Sequence, residues 1–343
     1  MKVILYFNPR LMKKISVLIL ILGLHNVLVS QEKEHSFSVE IMDDEALQVI
    51  DENADFNIIG SGFTWTEGPL WIADGDYLLF SDIPNNTVFK IDASGKTSEY
   101  LKPSGYLGTS DYGAEPGSNG LLLSPNGELV LMQHGERRVA KMKSTLNSPK
   151  AEYEALADSF EEKRFNSPND GVFDAEGNLY FTDPPYGLPK QMDDEQKELD
   201  YQGVYCLQTT GEIILVDKLS RPNGVAVNND GSKLYVSVSN PEHAVWYQYD
   251  IFAPGKVDNK KMFYDVTELV GKEGQQGLPD GMKMHSKGYL FATGPGGVWL
   301  FNESGKAIAR IHTGEKTANC VFGKDEKILY LTADDYVLTV SLK

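Results

Sequence analysis

A six-bladed, all-β propeller is the fold this sequence predicts, and two recurring features predict it. First, an oxygen-bearing side chain stands six times just ahead of a short apolar run: Glu67, Asn119, Asn169, Asn223, Asp280 and Asn319. The intervals run from roughly 40 to 57 residues, the range of propeller blades. Second, each run is followed within a few residues by a turn and another apolar strand, often ending in Ser, Thr or Asp. Asp74-Gly75-Asp76-Tyr77-Leu78-Leu79-Phe80-Ser81-Asp82 and Glu176-Gly177-Asn178-Leu179-Tyr180-Phe181-Thr182-Asp183 are two copies. The repeated unit is therefore strand, tight hairpin, strand, with further strands before the next copy. Six such units closed into a ring leave no long exposed sheet edge.

Taken in order, the first strands are announced by Glu67-Gly68-Pro69-Leu70-Trp71, Asn119-Gly120-Leu121, Asn169-Asp170-Gly171-Val172, Asn223-Gly224-Val225, Asp280-Gly281-Met282 and Asn319-Cys320-Val321. An Asn-Gly or Asp-Gly pair is ordinarily a turn signal. Pro125-Asn126-Gly127, lying between two strands of one unit, is read as such a hairpin turn. The six copies differ because they precede the innermost strand, so their side chains enter one end of a central channel. Glu67, flanked by Trp65, Pro69 and Trp71, reads as a buried carboxylate, and a buried charge needs a partner. Converging carboxylate and amide oxygens suit a hard cation such as Ca²⁺, which predicts a central metal site.

The chain of 343 residues has a hydrophobic content of 41%, enough for a sizeable core, and can be used as one all-β domain. Its net charge of -17 argues against nucleic acid and anionic membranes as partners. Lys13 and Lys14 precede an apolar run over 15–24, and Val29-Ser30-Gln31 offers a cleavage point, so residues 1–30 read as a signal peptide. That implies an exported protein, periplasmic or secreted, with no stable membrane insertion after cleavage. Residues 31–57 read as a polar N-terminal arm and 58–343 as the propeller; a segment from Glu40 to Asn57 could supply the strand that closes the ring. Cys206 and Cys320 sit in apolar strand contexts and read as buried thiols. Two stretches interrupt the pattern, a Gly-rich one over 106–118 and a charge run over 189–200, and both are candidate lids at the channel mouth.

Glu-Gly-Pro-x-Trp at 67–71, Ser-Pro-Asn-Asp-Gly at 167–171, Phe-Thr-Asp-Pro-Pro-Tyr-Gly at 181–187, Arg-Pro-Asn-Gly-Val at 221–225 and Pro-Asp-Gly-Met at 279–282 resemble the SMP-30/gluconolactonase family in kind and order. Gln133-His134-Gly135-Glu136-Arg137-Arg138 points toward its bacterial gluconolactonase branch. The resemblance implies one divalent metal, Ca²⁺ foremost with Mg²⁺, Mn²⁺ or Zn²⁺ as alternatives, and hydrolysis of a small sugar lactone to its aldonic acid. It implies Glu67, Asn223 and Asp280 as metal ligands, Asn169 on the metal or the substrate beside it, and Asp170 as the acid that orients this group. The animal branch has Arg-Phe-Asn-Asp at the third motif, where this chain has Ser167-Pro168-Asn169-Asp170, so that branch's substrate contacts do not transfer.

Asp280 is the expected general base, with ligation alone as the competing role. His134 is the rival base, and His134, Asn119, Tyr186 and Arg137 are the candidate substrate contacts, Tyr186 through its ring on a sugar face. A Gly-x-Ser-x-Gly elbow is absent, so the sequence offers no serine esterase. A phosphotriesterase or other ester hydrolase on the same scaffold, and a non-catalytic binding propeller, are the competing readings. A monomer or small homo-oligomer is expected.

Overall fold

The computed structural model describes residues 36–113 and 115–343. The expected signal peptide at 1–30 lies outside the described residues. Six antiparallel sheets follow one another along the chain, spanning 66–101, 118–157, 171–218, 222–265, 282–312 and 317–341. Within each, consecutive strands are neighbours. The first strand of every blade touches the first strand of the next, and the sixth touches the first, so the six runs picked out in the sequence form the inner wall of a closed ring.

The apolar strands read as continuous runs because each blade is covered on both faces by its neighbours. Alternation then sends successive side chains to opposite interfaces. Leu79 packs with Leu121 and Leu131 between the first and second blades, while Leu78 and Phe80 pack with Val337 and Tyr330 against the sixth. Phe181 faces Met132 of the second blade, and the adjacent Tyr180 faces Val225 and Val236 of the fourth. Six such clusters, one per interface, make up the core. Cys206 and Cys320 are buried free thiols in different interfaces.

The N-terminal segment is part of the propeller. Phe56–Ser61 pairs with the last strand, Tyr336–Ser341, and so completes the sixth blade. The boundary expected at 57/58 therefore falls inside a strand. Further upstream, Ser38–Ile41 adds a fifth strand to the fifth blade by pairing with Ala307–His312. Between these strands a short 3-10 turn, Asp44–Gln48, is capped by Asp43, whose carboxylate accepts from Glu45 N at 2.9 Å. The turn plants Ala46, Val49 and Ile50, all fully buried, in the interface of the last two blades. What composition marks as a polar arm is thus a clasp. Ala46, Val49, Ile50 and Ala54 are buried, with Phe37, Val39, Ile41 and Phe56 packed against the same cluster.

Candidate functional site

Four of the six first strands share a local distortion at the mouth of the channel. Pairing with the second strand slips between Glu67 and Leu70, Ser118 and Leu121, Pro222 and Val225, and Thr317 and Asn319. Such bulges turn a strand end and re-aim its side chains. In the third and fifth blades, regular pairing begins only after Asn169 and Asp280, at Gly171 and Met282.

Where a glycine follows the oxygen-bearing residue, at Gly68, Gly120, Gly224 and Gly281, it is there for close approach between blades. A Cβ on Gly224 would lie 2.2 Å from the carbonyl oxygen of Asp280, and one on Gly281 would lie 2.0 Å from Cγ of Asn319. Asn119, Asn169, Asp280 and Asn319 thus each rest on the glycine of the blade before. The Ser and Thr that end the second strands complete this tie. Ser81 Oγ donates to the carbonyl of Asn119 at 2.8 Å, Thr182 Oγ1 to that of Asn223 at 2.6 Å, and Thr293 Oγ1 to that of Ala318 at 2.9 Å. Ser239 Oγ donates in the same way to the carbonyl of Pro279. The recurring Ser/Thr seen in the sequence is therefore the bracket that sets one blade's site residue from its neighbour.

A cavity of about 360 Å³ opens over these residues. Its polar floor is Glu67, Asn119, Asn169, Asn223 and Asp280; Trp65, Tyr186 and Leu278 line its side, with Glu115, Ser239 and Lys316 at the wall. Among the described residues, four buried oxygens, Oδ1 of Asn119, Asn169, Asn223 and Asp280, have no hydrogen-bond donor. Asn223 donates its Nδ2 to Ser239 Oγ at 3.0 Å, which fixes its amide and leaves Oδ1 unpaired. Buried polar atoms are ordinarily satisfied, so several acceptors without a protein donor beside two carboxylates could hold a cation. Among the described residues no three His, Cys, Asp or Glu side chains converge as a metal cluster. The converging set is instead two carboxylates with amide oxygens, donors suited to a hard ion and poorly suited to structural zinc.

Asp170 and Asn319 stand behind this floor. Asn319 Nδ2 donates to Glu67 Oε2 at 3.3 Å and more distantly to Asp170 Oδ2 at 3.5 Å, while its Oδ1 accepts from Cys320 N at 2.9 Å. Burial pushes the Glu67 carboxyl up to about 8, against the Gly68 N–H that it accepts, and the charge of Asp170 adds to the rise. Asp280 is raised well above its ordinary value by burial first, then by the negative charges of Glu67, Asp170 and Glu115. A divalent ion between these groups would reverse both effects, because its charge stabilises the carboxylates that the low dielectric penalises.

Two expected substrate contacts are corrected. Arg137 is buried and does not line the cavity. Its Nε donates to the Phe165 carbonyl at 2.7 Å and its Nη1 to the Gln196 carbonyl at 2.8 Å, so it clamps loops. His134 is fully buried and also does not line the cavity, so it does not face a substrate bound there. Its Nδ1 lies 3.1 Å from Glu115 Oε2, and Glu115 does reach the cavity. Tyr186 and Asn119 line the cavity as expected. Of the two candidate lids, 106–118 contributes Glu115, whereas 189–200 serves as an anchor for Arg137 and contributes nothing to the lining. Glu115 and Lys316 were not singled out as site residues by sequence reasoning. Glu115 lies inside a stretch flagged as a lid, and Lys316 carries no sequence signal.

Residues 65–335 match the family model described as SMP-30/Gluconolactonase/LRE-like region. The chain belongs to this family. Among its relatives, the gluconolactonase of Zymomonas mobilis is 35% identical over 300 residues, covering 86% of this chain and 83% of the relative. The diisopropyl-fluorophosphatase of Loligo vulgaris is 26% identical over 277 residues, covering 78% and 84%. A solved gluconolactonase from Xanthomonas campestris shares the fold with a TM-score of 0.76 at 24% identity, covering 91% of this chain and 98% of that one. The bracketed ring of Glu67, Asn169, Asn223 and Asp280 is how this member of the SMP-30/gluconolactonase/LRE-like family arranges the mouth of its channel.

Proposed function

We propose that the protein is a divalent-cation-dependent lactonase that hydrolyses a gluconolactone-like sugar lactone to the aldonic acid. The observation that carries this reading is the set of donorless, buried oxygens beside two carboxylates on the floor of a cavity. The kinship with gluconolactonases supplies the reaction class. Glu67, Asn169, Asn223 and Asp280 would hold the cation, Ca²⁺ foremost and Mg²⁺, Mn²⁺ or Zn²⁺ as alternatives. When bound, such an ion supplies Lewis acidity toward the lactone carbonyl and charge stabilisation for the oxyanion.

The chain's own residues supply the rest. Asp280 Oδ1, which lacks a donor, accepts a proton from the water that attacks the carbonyl carbon. The bond from that carbon to the ring oxygen then breaks, and the ring oxygen takes the proton back from the Asp280 carboxyl to become a hydroxyl, leaving an open-chain acid and Asp280 ready for the next cycle. Asn319 holds Glu67 from behind and also donates, more distantly, to Asp170, and Trp65, Tyr186 and Leu278 give the ring an apolar wall that excludes water.

The test is acid release from glucono-1,5-lactone by protein beginning at Gln31, before chelation, after it, and after adding back each metal. Activity should vanish on chelation and return with Ca²⁺. Turnover indifferent to chelation, or a folded protein that binds no divalent ion, would overturn the reading. The similarity to the Loligo vulgaris enzyme supports a second reading, a phosphotriesterase on the same site, which a phosphotriester panel run alongside would distinguish. We also propose export with removal of residues 1–30, motivated by Lys13-Lys14 ahead of the apolar run. Intact mass of the recovered protein should begin at or near Gln31; a full-length mass would contradict it. Among the described residues no helix is long and apolar enough to cross a membrane.

A further inference from the structure

The wall of the cavity carries one carboxylate that the ring of floor residues does not use. Glu115 reaches the cavity from the loop 106–118 and, among the described residues, is the only acid lining it besides Glu67 and Asp280. That loop is anchored at both ends. Asn86 Oδ1 accepts from Gly105 N at 2.7 Å and from Tyr106 N at 3.2 Å, and Gly117 N donates to the Ile83 carbonyl at 3.0 Å. The rings of Tyr106 and Tyr112 pack 4.7 Å apart across its middle. Glu115 is thus presented by a built loop.

Behind it stands His134. The ring is fully buried, and neither nitrogen has an aligned hydrogen-bond partner among the described residues. A Cβ on Gly187 would fall 2.5 Å from the His134 Cβ, so Gly187 leaves the space in which this side chain sits. The charged group beside the imidazole is Glu115, whose Oε2 lies 3.1 Å from Nδ1. A buried imidazole with one polar neighbour places its proton toward that neighbour. Glu115 Oε2 faces the imidazole at 3.1 Å, and its other oxygen has no protein hydrogen bond among the described residues.

The other wall groups are less suited to accept hydrogen bonds from substrate. Ser239 Oγ donates to the Pro279 carbonyl, and Thr317 Oγ1 is 2.7 Å from Thr313 Oγ1. Lys316 is a cation with no acceptor. A sugar lactone differs from a plain lactone by its ring of hydroxyls, each of which is a donor. A carboxylate accepting from adjacent hydroxyls makes charge-assisted bonds, stronger than neutral ones.

We propose that Glu115 is the specificity residue that accepts hydrogen bonds from the hydroxyls of a polyhydroxylated substrate, with His134 as its positioning residue. The assignment rests on the lactonase reading for its reaction but not for its binding chemistry. The site selects polyols over apolar rings because leaving the Glu115 carboxylate desolvated and unpaired under a hydroxyl-free ring is costly.

The experiment compares glucono-1,5-lactone with δ-valerolactone, the same ring without hydroxyls, in the metal-loaded full-length mature protein and its E115Q variant. E115Q should lose about tenfold or more of kcat/KM on glucono-1,5-lactone relative to its loss on δ-valerolactone, with the difference in KM. His134→Asn, checked for folding by its melting curve, should raise the same KM in the same direction, and E115Q with His134→Asn should be no worse than E115Q alone. Equal losses on both lactones, or none on either, would overturn the assignment. Calorimetric titration with methyl β-glucoside, a cyclic polyol with no carbonyl, separates this from the lactonase reading. Binding that E115Q abolishes supports the assignment even if no lactone is turned over. Binding equal in wild type and E115Q sinks it even if lactone hydrolysis stands.

Discussion

Asp280→Ala should lower kcat/KM on glucono-1,5-lactone by about 10³-fold or more, since it removes a cation ligand and the acceptor of the water proton together. The side chain is placed for both roles. Its Oδ1 is buried without a donor on the cavity floor, and its carbonyl lies against Gly224 of the preceding blade, so its position is set by backbone packing. Asp280→Asn separates the two roles. The amide keeps an oxygen for the cation but cannot take a proton. At saturating Ca²⁺, a base role predicts that the Asn variant binds metal with weaker affinity and remains nearly as inactive as the Ala variant. Recovery of most of kcat at high Ca²⁺ would leave Asp280 as a ligand only. Metal binding followed by calorimetry alongside steady-state rates provides both readings.

The second large effect concerns stability, pH and metal together. In chelated protein, stability should fall as pH rises from about 6.5 to about 8. Glu67 has its folded value raised from 4.5 to about 8, chiefly by burial, and Asp280 is raised well above 3.8 by burial and by Glu67, Asp170 and Glu115. A group whose folded value is raised holds its proton in the native state where the unfolded chain has already lost it. The native state then binds more protons, and stability declines with pH until the folded value is passed, at a slope of about 1.4 kcal/mol per pH unit for each group. Lys283 opposes the rise at Glu67. Asp183, pushed up to about 7 by burial, acts in the same direction as Glu67, whereas His285, lowered by burial from 6.5, opposes it at lower pH. The difference between chelated and Ca²⁺-loaded protein isolates the site. Melting temperatures should diverge with rising pH, falling in chelator and holding or rising in Ca²⁺, because metal affinity grows as the ligands deprotonate. Parallel curves across this window would mean that Glu67 and Asp280 do not share a bound cation.

How much of this was legible before the structure depends on the range of the contacts involved. The repeat was legible because a blade's inner strand is a local object. Its apolar alternation, turn glycines and preceding oxygen all lie within a dozen residues, and six copies at near-regular intervals leave few ring arrangements. Glu67, Asn119, Asn169, Asn223 and Asp280 followed from that pattern, since residues at one register position of equivalent strands share one end of the channel. Even the Ser and Thr at the ends of second strands were visible as a pattern. Their purpose, bracketing the next blade, was not.

Side-chain direction outside the repeat was not legible. His134 and Arg137 lie in one short motif that looked like a substrate edge. The hairpin turns both away from the cavity, His134 to Glu115 and Arg137 to carbonyls of a loop some 28 to 59 residues away in sequence. Asn319 braces Glu67 from a separation of 252 residues, and Phe56–Ser61 closes the ring against the last strand of the chain. Such partners are chosen by which surfaces the closed ring brings together, and no local propensity encodes them. Periodic strands and the oxygen before each were therefore enough for the fold and the floor of the site. The register of ring closure, the wall carried by Glu115 and the bracing behind the floor required the folded molecule, because each depends on contacts between segments far apart in the chain.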